Sequence, residues 1–149
     1  MTDSVRFSRA LRQWMDVFMH RSMSGWMQYV KSSGLSMPQF SILMRLHYRG
    51  ECGISNLSEH MDISAAAASQ LVDKLVQAGL LERTEDPHDR RAKQVALSPK
   101  GRDLIEQGIQ ERYRWVDGLA ETLNADEKNK ITEALDIMTQ VAQRMESKA

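Results

Sequence analysis

The sequence predicts a mainly α-helical chain built around a winged helix-turn-helix, and three observations make that prediction. "ISNLSEHM" and "DISAAAASQLVDKLVQAGL" read as a short helix and a second helix with only Asp62 and Ile63 between them, which is the helix-turn-helix layout. "LLERTEDPHDRRAKQVALSP" follows as two short runs around a charged, turn-rich tip, the pattern of a two-stranded β wing. Long amphipathic helical stretches flank this block on both sides.

Each element has a local justification. Residues from about Val5 to Ser32 contain no proline, carry Gly25 as the one breaker, and end before Gly34, a favourable C-terminal cap. Ser36 and Gln39 have capping-box spacing, and Pro38 is tolerated in a first turn. Phe40, Leu43, Met44 and His47 then recur at helical steps until Gly50. Ser55 is the expected N-cap of the short helix carrying Leu57 and Met61, and Ser64 that of the next. Four alanines favour the second helix, Leu71 and Leu75 face inward with Ala68 and Val72 beside them, and Gly79 stops it. Leu80, Leu81, Arg83 and Thr84 form one strand, and Val95 and Leu97 mark its partner. Ser98-Pro99 opens a long helix to about Leu123. Asn124 and Glu127 form another capping box, and the last helix aligns Ile131, Ala134, Leu135, Met138, Val141, Ala142 and Met145 on one face.

Composition bounds the rest. The chain has 149 residues, enough for one domain with a core. Lys plus Arg and Asp plus Glu number 20 each, so the formal net charge is zero and any charge signal is local. From Ser64 to Arg102 the balance is slightly basic; beyond it acids dominate, so the C-terminal end is expected to sit away from any polyanion. The single cysteine, Cys52, excludes an intramolecular disulfide and fits a reducing cytoplasm. No secretion signal and no run of eighteen apolar residues is visible, so neither export nor a membrane partner is expected. The four histidines and Cys52 show no metal spacing, and no nucleophile–base pair or phosphate loop stands out. Neither catalysis, cofactor nor metal is therefore expected.

Asp86, Pro87, Asp89, Arg90 and Arg91, followed by Val95, Leu97, Ser98, Gly101 and Leu104, resemble the wing signature of MarR-type transcriptional regulators. "LSEHMDIS" and "LVDKLVQAGLLER" resemble that family's helix-turn-helix. The resemblance covers residues 36–104, and the outer helices by layout. It implies a homodimeric, DNA-binding regulator, commonly a repressor released by a small aromatic or phenolic effector. Within one domain, 1–149, residues 36–100 would form the winged helix-turn-helix, and 1–34 and 101–149 the dimerisation helices. The apolar faces of those end helices also look larger than one small domain can bury.

The paired arginines then acquire a role. The minor groove concentrates negative potential, and a guanidinium on a slim hairpin reaches it where a bulky domain does not. Arg91 is expected to enter it, oriented by Asp89, with Arg90 and Lys93 on phosphates; the alternative is an ordinary solvated hairpin tip. The recognition helix would present Ser64, Ala65, Ala66, Ser69 and Gln70, then Lys74 one turn on. Gln70 suits adenine and alanine methyls suit thymine methyls. Relatives often carry arginine here; "AAAAS" departs from that and shifts weight to phosphates and wing. The Met15, Met19, Met23 and Met27 stripe reads first as core or dimer interface. By family layout an effector pocket would adjoin it, with Trp14, Phe18, Met37, Met44 and His47 as candidates. The reading from another class is a winged helix that binds protein rather than DNA, since fold alone does not decide function.

Overall fold

A computed structural model of the chain describes residues 3–85, 88 and 93–146. Their order is α1 (Asp3–Ser32), α2 (Met37–Arg49), β1 (Cys52–Gly53), α3 (Ile54–Met61), α4 (Ala65–Gln77), β2 (Leu81–Glu85), β3 (Lys93–Leu97), α5 (Pro99–Thr122) and α6 (Ala125–Glu146). The contacts divide the chain into two compact units, Met1–Arg112 and Tyr113–Ala149.

Local chemistry sets most boundaries of the first unit. Ser36 accepts from the Gln39 N–H at 3.4 Å, and Gln39 Oε1 accepts from the Ser36 N–H at 2.9 Å, closing the capping box of α2. Gly50 ends α2 with φ +78° and Gly34 follows α1 with φ +73°, a region glycine enters without Cβ strain. Ser64 Oγ accepts from the Ala67 N–H at 3.1 Å and caps α4. The expected cap of α3 is corrected: Gly53, in extended conformation, is the N-cap, and Ser55 lies inside the helix.

The wing differs from a plain hairpin. β1 adds a third strand, giving the antiparallel order β1-β3-β2. Cys52 pairs with Val95 and Gly53 with Gln94, while β2 and β3 pair from Leu81–Leu97 to Glu85–Lys93. A strand of two residues has no alternation to read, so the sequence did not announce it.

The core joins these pieces. Phe40, Ile42, Leu43, Leu57, Val72, Leu75, Val95 and Ile105 are fully buried. Trp26 meets Phe40 edge-on with ring centroids 4.8 Å apart, a favoured aromatic geometry. Ala68, Val72 and Leu75 form the buried stripe of α4. Leu71, expected fully inside, is half-buried at the edge of that stripe.

One small region anchors both α4 and the wing. Ser98 Oγ donates to the Gly79 carbonyl at 2.6 Å and accepts from the Gly101 N–H at 3.0 Å. Lys100 Nζ donates to the Ala78 carbonyl at 2.9 Å. Gly101 packs so closely that a Cβ there would lie 2.0 Å from the Leu80 carbonyl oxygen. The start of α5 therefore locks the turn between α4 and β2.

In the second unit, Asn124 Oδ1 accepts from the Glu127 N–H at 2.9 Å, and Glu127 accepts from the Asn124 N–H at 2.9 Å. This capping box starts α6. None of the described residues of α6 is buried.

Candidate nucleic-acid interface

The interface is built from α4 outward. Burial of Ala68, Val72 and Leu75 turns the opposite side of α4 to solvent. Ser64, Ala65, Ala66, Gln70 and Lys74 are exposed there, and Ser69 is half-buried at the margin. The Gln70 and Lys74 side chains have no partner among the described residues. Helix α4 thus presents a methyl-lined N-terminal end, then an amide, then an ammonium, all available to an incoming surface.

Side-chain bonds tie the wing to this helix. Asp73 on α4 and Arg83 on β2 form an ion pair. Both are substantially exposed, so the pair stabilises by less than about 1 kcal/mol. Its effect is geometric: it holds β2 beside the middle of α4. Thr84 Oγ1 donates to Glu51 at 3.2 Å, fastening the same strand to the segment before β1. Lys93 is exposed at the last ladder pair, opposite Glu85. Asp89, Arg90 and Arg91 lie outside the described residues, in the segment that connects this pair.

A cleft of about 430 Å³ opens in the first unit. Met37 and Met44, two of the expected effector residues, line it together with Met23, Trp26, Phe40 and Arg45. Trp14, Phe18 and His47 are not part of that lining. His47 instead stacks edge-on against Tyr48, centroids 5.1 Å apart. Trp26 takes the place expected of Trp14. A second cleft, about 590 Å³, runs between the start of α2, the end of α3 and α4, and reaches Gln70 and Lys74.

Burial holds the Cys52 thiol above its ordinary pKa, partly offset by the Arg45 charge. A thiol so placed stays protonated near neutrality and is a weak nucleophile. Among the described residues no His, Cys, Asp and Glu cluster has metal-binding geometry, and no helix is long and apolar enough to cross a membrane.

A helix-turn-helix with an exposed second helix, braced by a three-stranded sheet, defines a winged helix. Residues 35–93 match the family model described as MarR family. The uncharacterized HTH-type transcriptional regulator YwhA of Bacillus subtilis is 34% identical over 102 residues, spanning 68% of this chain and 71% of that protein. The transcriptional regulator Tm0710 from Thermotoga maritima superposes with TM-score 0.80 at 27% identity, covering 97% of this chain and 99% of that one. An S. aureus MepR mutant bound to an oligodeoxyribonucleotide shares the fold with TM-score 0.63 at 18% identity, covering 91% and 97% of the two chains. The chain belongs to the MarR family. It is a DNA-binding transcription regulator of that family, which comprises regulators and not enzymes.

Proposed function

We propose that the protein is a homodimeric repressor that reads a roughly palindromic operator and is released by a small aromatic effector. Residues 36–100 form the reading head, and the helices of 1–34 and 101–149 join the two copies. The observation that carries the DNA-reading part is the exposed face of α4, with Ala65, Ala66, Gln70 and Lys74 open to solvent on a helix capped at Ser64. Recognition helices contact base edges through such N-terminal faces. Ser64 and Ser69 border that face. Arg91, aligned by Asp89, enters the adjacent minor groove, and Arg90 and Lys93 neutralise phosphates.

Dimerisation is supported by apolar surface left uncovered. Met15, Met19, Met23 and Met27 of α1 are each 40% to 53% exposed, and Ile131, Leu135, Ile137, Val141 and Met145 of α6 are likewise exposed. Soluble monomers rarely leave continuous apolar faces open. The effector reading is supported by the Met- and aromatic-lined cleft around Met37 and Met44, soft walls suited to a flat apolar molecule.

Fluorescence anisotropy tests the reading, using DNA from immediately upstream of the gene and a scrambled duplex, across a salt series. Selective binding that weakens steeply with salt is expected, because phosphate contacts release counterions. Equal affinity for both duplexes at every salt would favour a protein partner over an operator.

A further inference from the structure

Four left-handed backbone positions punctuate the described residues, and three of them are glycines: Gly34, Gly50 and Gly79. The fourth is Asp62, with φ +52°. The ends of α3 and α4 show the contrast directly. After α4, the Gly79 N–H donates to the Val76 carbonyl and the Leu80 N–H to the Leu75 carbonyl, each at 2.9 Å. After α3, the Asp62 N–H donates to the Glu59 carbonyl at 3.3 Å and the Ile63 N–H to the Ser58 carbonyl at 3.1 Å. Both ends close with the same turn, in which one residue becomes left-handed and glycine is the usual choice. An aspartate there strains its Cβ against the following carbonyl. A strained residue that stands where glycine would be free of strain points to a use for its side chain.

The place of that side chain shows what the use is. Asp62 is exposed, and its carboxylate has no partner among the described residues. It stands two residues before Ser64, the cap of α4. Two residues span at most about 7 Å, and the screening length at physiological salt is about 8 Å. The charge of Asp62 is therefore felt at the N-terminal end of α4. The first turn of α4 carries no acid of its own, and Lys74 is the one lysine or arginine of that helix. A polyanion approaching this end of α4 meets a negative charge before it meets a positive one.

We infer that Asp62 is an electrostatic brake on DNA binding: its carboxylate holds the affinity of the reading head for any duplex below the level its cations would set, so that tight binding waits for base contacts. The inference rests on the reading above of α4 as the helix that meets DNA. A duplex carries one negative charge per about 1.7 Å of its axis, and a fixed carboxylate beside that row repels it whatever the base sequence. One such repulsion across about 7 Å of water is worth roughly a factor of three in affinity. The effect falls on operator and random duplex alike, which keeps the protein from being held on DNA that offers only phosphates.

Anisotropy titrations of the full chain test the brake, comparing wild type, Asp62→Asn and Lys74→Gln on the upstream and scrambled duplexes at low and high salt. Asparagine enters the left-handed region as aspartate does, so Asp62→Asn removes the charge and keeps the turn; thermal melts check that it does. Asp62→Asn is expected to bind both duplexes at least about threefold more tightly than wild type at low salt. The gain is expected to shrink at high salt, where the screening length shortens. Unchanged affinity, weaker binding, or a gain that salt does not reduce overturns the brake. A lower melting temperature with unchanged affinity also overturns it, leaving Asp62 a charge that only steadies the α4 N-terminus. Should Asp62→Asn fail to fold, Asp62→Gly, which suits the turn, is read in the same way. Lys74→Gln is expected to weaken binding to both duplexes. If it does so while Asp62→Asn changes nothing, the brake fails and the DNA-facing reading of α4 stands. If neither substitution changes binding, α4 does not meet DNA and both fall.

Discussion

Helices α4 and α6 carry apolar stripes of similar periodicity and treat them in opposite ways. In α4, Ala68, Val72 and Leu75 are buried against the same compact unit. In α6, Ile131, Leu135, Val141 and Met145 remain exposed and no described residue is buried. Periodicity therefore states that a helix has an apolar side without stating what covers it. For α4 the cover is the chain's own core, which leaves its other side open to solvent. For α6 the cover proposed here is a second copy.

The same truncation on both helices separates the two cases. Leu75→Ala is expected to lower unfolding stability by about 2–5 kcal/mol, the range for a buried leucine, with a urea midpoint that does not depend on protein concentration. Leu135→Ala should instead show its effect through the dimer, as a midpoint that varies with concentration. A concentration-independent loss for Leu135→Ala would break the comparison. Gly101→Ala probes how α4 is held. Its Cβ would strike the Leu80 carbonyl oxygen, so a loss of about 1–3 kcal/mol is expected, read as a lower melting temperature. A stability unchanged from wild type would mean that the lock between α5 and the α4–β2 turn is loose. Arg91→Ala should weaken operator binding by about 1–3 kcal/mol and reduce the salt slope by about one, with stability unchanged. The smallest effect is expected from Ser64→Ala, about 1 kcal/mol of stability from the lost cap; thermal melts that coincide with wild type would remove Ser64 from the capping account.

These expectations also mark what the sequence could and could not tell. Caps were legible because they are local: Ser36 with Gln39, Ser64, and Asn124 with Glu127 announce themselves within four residues. Gly101 stood in the family signature, but its reason, contact with Leu80, exists only after folding. β1 was hidden because two residues carry no pattern, and with it the cap shifted from Ser55 to Gly53. Leu71 lies about 60° around the helix from Ala68, near enough to read as core and far enough to be only half-buried. Trp14 and Trp26 are about 120° apart on one helix, so methionines on α1 could not say which tryptophan meets the cleft. Arg45 gave no signal at all: an arginine on an amphipathic helix looks solvated until the structure buries one of its nitrogens.

Hydroxyl-radical footprinting on the selected operator, with the mass of the complex measured alongside, tests the central claim most directly. The account predicts two protein copies per operator and two dyad-related protections centred about one helical turn apart, 10–10.5 base pairs. One copy and a single unsymmetrical protected patch would contradict it.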